Sequence, residues 1–583
     1  MSNERTASLT TVHFNSLGKQ KFLSLFFVSS ITMVLYVLAL MADTVIAGHV
    51  VGEIGVSAMN VIAPIMSVVV FIGNIIGTGI SFLYGSAMGK ADKKHADELF
   101  GMSVIVAIAS GVILFVLMAM GFDTYLAFLN PEAEVMTYAR EYYSFYKFVL
   151  IVDPLMMLLT TMVYNDGDEL ISNIANTVII FGNIALSVIF ALVFKMGMAG
   201  LALGTLMNDI ISLMILSCHF LRKSSSLSPR MYFSFKDLWG FLYYGFVDSG
   251  MFLMWGLLLF ALNKLIIANF GGKFLPTVSM AISLLEFSAV FDGVAEAVIP
   301  LVSVYYSEKN YPAVRKVMGS AVWVSLIEGA VFSVLLFVFA EYIPAIFGIE
   351  EPEVLGHCVN AVRIISTTLI ISSLLYLFET YYMTQGKNII ALISSFARNL
   401  VFILICAVPL GFAMGINGVW TAFALAQPLT LGLCVWLSFV IYGRKNFPMY
   451  LEDNGNIADF DLLLTPENVM KIRDMAAGFM ASKNVPASTA NRIMLMIEET
   501  GMMIIERNEG RKVLAEYTIE LYGENQARLI VRDNGEIFDI TSDDAKVTSL
   551  RSYFLAGLMT LEKYRKNITT ISFNRNVFTI KQA

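Results

Sequence analysis

Charge is scarce in this chain. Asp, Glu, Lys and Arg make up 15% of 583 residues, against about a quarter in ordinary soluble domains. A folded surface in water needs more polar cover than that, so most of the chain cannot be a soluble globule. The deficit is local: residues 1–445 hold long apolar runs, whereas 446–583 have ordinary soluble composition. Cysteine is scarce too. Cys218, Cys358, Cys406 and Cys434 are scattered through apolar segments without metal-ligand spacing, so they read as small buried hydrophobes. No Gly-x-x-x-x-Gly-Lys-Ser/Thr loop occurs, which excludes a P-loop pump driven by ATP. A signal-peptide pattern is also missing. Residues 1–20 are polar, and the first apolar run is too long for a signal h-region and is followed by many more. Nothing in the composition points to a nucleic-acid partner.

What is present is a series of apolar segments, each near the roughly 20 residues needed to cross a bilayer core. They lie near 22–42, 56–82, 99–121, 143–164, 171–194, 197–220, 240–268, 278–304, 315–343, 360–383, 388–411 and 415–442. With the N-terminus inside, the cytoplasmic segments collect Arg5, Lys19, Lys21, Lys90, Lys93, Lys94, Arg222, Lys223, Arg230, Lys236, Lys309, Arg315, Lys316, Lys387, Arg444 and Lys445. The other side keeps only Arg140, Lys195 and Lys273. This bias places a multi-pass protein in the cell (inner) membrane, surrounded by lipid, with both termini cytoplasmic.

The apolar region repeats itself. A shift of roughly 219 positions lays Met196-Gly197-Met198-Ala199-Gly200 over Met414-Gly415-Ile416-Asn417-Gly418. It lays Tyr164-Asn165-Asp166-Gly167 over Met383-Thr384-Gln385-Gly386, and 128–135 over 347–354. Gly101 falls on Gly319 and Asp43 on Asn263. Such a duplication predicts an all-α bundle of about twelve helices in two six-helix lobes, 1–220 and 221–445, around a central pathway. Ionisable groups at membrane depth are costly and face a partner, a cavity or the interface. Asp43, Lys147, Asp153, Asp209, Asp248, Lys264, Glu286, Asp292, Glu296, Glu328, Arg363, Glu379 and Arg398 are the candidates. Asp292 and Glu296 are one helical turn apart, so they repel unless a proton or cation joins them.

Asp43-Thr44-Val45-Ile46-Ala47-Gly48 through Gly52, then Val56-Ser57-Ala58, resembles the multidrug and toxic compound extrusion (MATE) family. Asp166-Gly167-Asp168, Asn183 and Gly200-Leu201-Ala202-Leu203-Gly204-Thr205 continue the likeness in order, over about 15–445. The resemblance implies export of small amphipathic or cationic compounds in exchange for H⁺ or Na⁺, with no cofactor needed. It implies a coupling network of Asp43, Asn183 and Thr205, joined by Ser187; the internal repeat and the charge spacing add Asn263, Asp292 and Glu296 as candidates in the second lobe. Three departures stand out. The family's carboxylate after the helix-five Asn is here Ser187, residues 22–42 lack a kinking Pro, and Trp255 and Leu374 occupy places where Na⁺-coupled relatives carry carboxylates.

Beyond the bundle, 446–465 reads as a linker, followed by helices at 466–484 and 487–506 and strands at 513–522 and 526–532. A helix at 548–563 and terminal strands within 568–581, separated by Asn574-Arg575-Asn576, complete an α+β sandwich over 466–583. Met496-Ile497-Glu498-Glu499 and Val531-Arg532-Asp533-Asn534-Gly535-Glu536 resemble the GHKL ATPase fold, in its anti-sigma-factor serine-kinase branch. The resemblance implies that Glu498, Asp533, Asn534 and Gly535 line a nucleotide site, with Asp533 accepting from the adenine amine. Met502 stands where the family has a Mg²⁺-ligating Asn, and the lid glycines are missing around Ser549–Ser552. Weak ATP binding or none, and no turnover, is the expectation. The chain thus reads as a secondary-active antiporter, not an enzyme, with a cytoplasmic regulatory unit that a regulatory protein could engage. A membrane sensor governing a serine-kinase module and a lipid-linked glycan flippase are the competing readings.

Overall fold

The computed structural model describes residues 17–89, 92–222, 225–451, 455–522, 526–536 and 574–581. Among these, eleven helices are long and apolar enough to span a membrane, and a bent pair makes a twelfth. In chain order they are α1 (Leu17–Val51), α2 (Glu53–Gly89), α3 (Lys93–Leu129), α4 (Ala133–Asn165), α5 (Leu170–Val193) and α6 (Gly197–Ser217). The second six are α7 (Phe235–Asn269), α8 (Gly272–Ser307), α9 (Tyr311–Val338), α10 (Pro352–Ser366 with Leu369–Thr384), α11 (Asn388–Met414) and α12 (Ile416–Tyr442). Every apolar segment expected from the sequence therefore becomes a helix. Side chains supply caps where the chain turns into a helix: Asp92 accepts from the His95 amide, Ser234 from that of Asp237 and Asn310 from that of Ala313.

Several helices depart from regular α geometry, and the departures fall beside polar and ionisable groups. α5 contains π-turns at Val178–Gly182 and Ile189–Val193, bracketing Asn183 and Ser187. α11 has a π-turn at Ala397–Val401 that carries Arg398. A 3₁₀ turn at Phe287–Phe291 interrupts α8 just before Asp292. α10 bends by 48° between its two pieces. Such irregular turns free backbone groups and re-aim side chains, which a uniform lipid-facing helix has no use for.

The two sets of six meet along glycine-lined seams. A methyl group at Gly79 of α2 would overlap the Phe241 carbonyl of α7, and one at Gly245 of α7 would overlap that of Ile75. A methyl at Gly293 of α8 would lie 2.7 Å from the Ser30 Cα of α1. Close backbone approach of this kind requires glycine, as is common where membrane helices pack.

The C-terminal unit is an antiparallel sheet in the order β1 (Ile457–Leu463), β2 (Leu514–Tyr522), β3 (Gln526–Asp533), β4 (Asn574–Lys581). Helices α13 (Pro466–Ser482) and α14 (Ala487–Arg507) cover one face. Val469, Ile472, Ala476, Ile493, Met496, Ile497 and Ile504 pack there on Phe460, Tyr517, Ile519, Leu529, Val531 and Phe578. The period-two alternation of strands sends Asp459, Asp461, Glu516, Thr518, Arg532 and Arg575 to the other face. Two expectations are corrected. Residues 457–463, read as linker, form an edge strand in register with β2, because Ala458, Phe460 and Leu462 alternate with acids and reach the core. Asn574–Asn576, read as a connection between strands, lie inside β4 opposite Val531–Asp533. The expected helix at 548–563, the lid around Ser549–Ser552 and the strand residues before 574 lie outside the described residues.

Candidate functional site

Within the first six helices, Asp43 lies near the end of α1, and Asn183 and Ser187 lie one turn apart on α5. The Ser187 hydroxyl is 3.2 Å from Asp43 Oδ1 and 3.1 Å from Asn183 Oδ1. A hydroxyl has one proton, so Ser187 donates to one of these oxygens at a time. Thr205, on α6, returns its hydroxyl to the Leu201 carbonyl at 3.4 Å and neighbours the Tyr142 phenol. The structure therefore joins Asp43, Asn183 and Ser187 by hydrogen bonds, whereas Thr205 bonds to none of them directly.

It adds four that sequence reasoning did not assemble. Tyr142 and Tyr146 are buried on α4 and interact with Asp43 and Asp209. Asp153, further along the same helix, and Asp209, one turn beyond Thr205, are both buried and couple electrostatically to each other, and Asp209 couples to Asp43. Asp209 Oδ2 has no hydrogen-bond partner among the described residues. The signal was available: residues 142, 146 and 153 share one face of a helix, which a count of isolated charges does not reveal.

The second set of six helices holds another group. Asp292 and Glu296 sit on the final segment of α8 as expected. Arg398 donates to Glu379 Oε2 at 3.0 Å, lies 4.1 Å from the Tyr376 ring centroid and acts on Asp292 through its charge. Ser30 of α1 reaches Glu328 Oε1 at 3.5 Å. Trp255, on α7, is half-buried against the apolar core of these helices. Asn263 does not join this cluster. It is buried at the α2–α7 seam, where its Nδ2 donates to the Asn60 carbonyl at 3.0 Å and its Oδ1 accepts from the Asn60 side chain.

In the C-terminal unit, Asp533 ends β3 and is fully buried. Its Oδ1 accepts from the Gly535 amide at 2.9 Å and from Asn574 Nδ2 at 2.8 Å. Oδ2 has no partner among the described residues. Burial raises this carboxyl to about 6, against the lowering effect of Asn574 and the Gly535 amide. A Cβ at Gly535 would sit 2.6 Å from Asn508 Nδ2, so a larger residue there would displace the Asn508 side chain. The Asn534 side chain accepts from the Leu514 amide at 2.9 Å, and Glu498 lies 3.6 Å from Arg473. An orphaned carboxylate oxygen beside a glycine fits an adenine amine. Met502, one turn after Glu498, offers no oxygen to Mg²⁺.

Comparison with known proteins follows the bundle. The MatE family model matches residues 29–189 and 250–408. The multidrug export protein MepA of Staphylococcus saprophyticus is 21% identical over 396 residues, covering 67% of this chain and 86% of that protein. The probable multidrug resistance protein NorM of Thermotoga maritima is 26% identical over 348 residues, covering 57% and 72%. An inward-facing multidrug resistance MATE family transporter superposes with a TM-score of 0.62 at 17% identity, over 75% of this chain and 97% of that one. The MATE multidrug transporter DinF-BH, solved as a ligand complex, gives 0.59 at 22% identity over 74% and 97%. At these identities the superpositions speak for a shared fold.

Proposed function

The chain belongs to the MatE family of membrane transporters, and from that premise we propose that it exports small amphipathic or cationic compounds in exchange for inward-moving H⁺ or Na⁺. The observation that carries this reading is the meeting of Asp43 with Ser187 and Asn183 between α1 and α5, backed by Asp209 and Asp153. Relatives named as a multidrug export protein and a probable multidrug resistance protein support the export part of it.

The chemistry follows from desolvation. Carboxylates that feel one another in a site of low dielectric cannot all be ionised, so one must hold a proton or share a cation. Uptake of that ion neutralises Asp43 and frees the Ser187 proton to turn towards Asn183. Release restores the charge and the hydrogen bond to Asp43. Each state packs α1 differently against α5, which ties ion occupancy to the rocking of the two six-helix lobes. Asp153 and Asp209 supply the acidity that Ser187 withholds from α5. Asp292 and Glu296, with Glu379 held by Arg398, form a second acidic site in the other lobe.

We place the protein in the inner membrane with both termini cytoplasmic, from the distribution of Lys and Arg. Residues 1–220 and 221–445 are then the lobes, and 466–583, with the strand at 457–463, form a GHKL-type regulatory unit. That unit takes an adenine nucleotide weakly and without Mg²⁺, through Asp533, and turns over none. Everted vesicles test the whole reading. Export of a fluorescent cation driven by an H⁺ or Na⁺ gradient, and lost in Asp43→Asn, supports it; equal export by that variant contradicts it.

A further inference from the structure

The charged face of the C-terminal sheet is largely withdrawn from water. It packs on the membrane bundle, and the contacts fall on three helix ends. At α1, the Leu17 amide donates to Asp461 Oδ1 at 2.8 Å, and Gln20 accepts from Asn534 Nδ2 at 3.4 Å. At the end of α8, the Tyr305 hydroxyl donates to Glu516 Oε2 at 2.6 Å. Glu308, immediately after α8, pairs with both Arg532 and Arg575. At the start of α9, Asn310 donates to Asp459 at 3.3 Å and Lys316 reaches the same carboxylate at 2.8 Å. Arg532, Glu516, Asp459 and Asn310 are all buried.

Charges on a strand's outer face normally face solvent, and burying them is unfavourable unless each finds a partner. Here the partners come from both sides: Glu308 and Lys316 from the bundle, Asp459, Arg532 and Arg575 from the sheet. The complementarity makes this face specific for these three helix ends.

Those helices carry acids at membrane depth. α1 bears Asp43, roughly 40 Å from Leu17 at about 1.5 Å per residue. α8 bears Asp292 and Glu296, and α9 bears Glu328. Two close contacts hold α1 and α8 together. A Cβ at Gly18 would lie 3.1 Å from the Tyr305 hydroxyl, and Gly293 lies flush against Ser30. Tyr305 therefore touches α1 and the sheet together.

We propose that the polar face of this sheet is the coupling surface of the regulatory unit: docked, it fixes α1 against α8 and α9 and opposes the movement that α1 makes when Asp43 changes its ion. The inference rests on the transport reading above, and it adds where and how regulation enters. By linkage, whatever loosens the dock alters ion and substrate affinity in the bundle, and their binding alters the dock by the same factor.

The test uses the full chain, with its four cysteines replaced by alanine and with Gln20→Cys and Asn534→Cys. Oxidation should form the disulfide readily, and adding Glu308→Gln and Lys316→Met, which leave the sheet's own residues unchanged, should slow its formation about fivefold or more, the lower end of typical couplings. The cross-linked chain should export ethidium at least about fivefold more slowly than the same chain after reduction. Amide exchange over residues 41–56 should slow in parallel. No cross-link, or a cross-linked chain with unchanged export and unchanged exchange, overturns the proposal. If the reduced chain exports nothing, the transport reading fails, and the exchange measurement alone decides whether the dock constrains α1.

Discussion

Asp43 and its neighbours divide the work by charge. Asp43 alone among the three α1–α5 partners can change its charge, whereas Ser187 and Asn183 only adjust its hydrogen bonds. Asp43→Asn should therefore abolish export while leaving the chain folded in the membrane, which size-exclusion chromatography in detergent would show. Ser187→Ala removes a hydrogen bond to a carboxylate, worth about 1.5 kcal/mol, and should shift half-maximal ion dependence by roughly tenfold. Asn183→Ala and Thr205→Ala should lower export less than Asp43→Asn. Asp533 makes a pH-dependent prediction of the opposite kind. Burial raises it to about 6 in the folded chain, above its ordinary 3.8. The folded state thus holds this proton more tightly than the unfolded one. Its stability contribution is complete below pH 4, falls as pH rises to 6, and stays lost at pH 7. Asp533→Asn cannot ionise and keeps an oxygen for Gly535 and Asn574. It should flatten that slope and stabilise the sheet at pH 7.5, by at most about 3 kcal/mol. Amide exchange of β3 at pH 4.5 and 7.5 reads this, and an unchanged slope in the variant would refute it. At this scale the sequence exposed Asp43, Asn183, Ser187 and Thr205 because they sit in a family-like order. Tyr142 and Tyr146 escaped because tyrosines in an apolar helix look like ordinary core.

The elements were legible wherever periodicity decided them. Twelve apolar segments became helices because lipid leaves the backbone no other partner than itself. What the pattern could not show was where those helices break. The π-turns around Asn183 and at Arg398 have no local marker such as proline, since they are set by packing on neighbouring helices. β1 was missed for a different reason. Its acids suggest a solvated linker, and only a partner surface of opposite charge makes Asp459 and Asp461 buried residues of a strand. The glycine seams give a direct test of helix spacing. Gly293→Ala should push α1 from α8, because the added methyl meets the Ser30 Cα and N at 2.7 and 2.9 Å as well as its hydroxyl. Overpacking of this sort costs about 1–3 kcal/mol, seen as a lower thermal midpoint in detergent, and export should fall with it. A midpoint equal to that of the parent chain would show that α1 and α8 do not pack as described.

For the whole molecule, the proposed division gives the pathway to the bundle and control to the sheet. The two lobes were visible as a repeat of roughly 219 positions in the sequence. The docking of the sheet was not visible, because its contacts join residues hundreds of positions apart and depend on charges that alone read as surface. A chain ending near residue 445 should therefore still export, with a rate no longer responsive to whatever engages the C-terminal unit. Loss of all export in a properly inserted truncation would make the sheet part of the pathway itself. Orientation is testable apart from transport: a reporter active only outside the cytoplasm should stay silent at residue 583 and give signal when placed at 195–197. The most direct measurement is counterflow in proteoliposomes, recording H⁺ or Na⁺ movement while a cationic substrate is taken up against its gradient. The account requires one of these ions to move opposite to the substrate in the parent chain, and neither to move in Asp43→Asn. Substrate movement that ignores both ion gradients, or ion-coupled movement that survives Asp43→Asn, would contradict it.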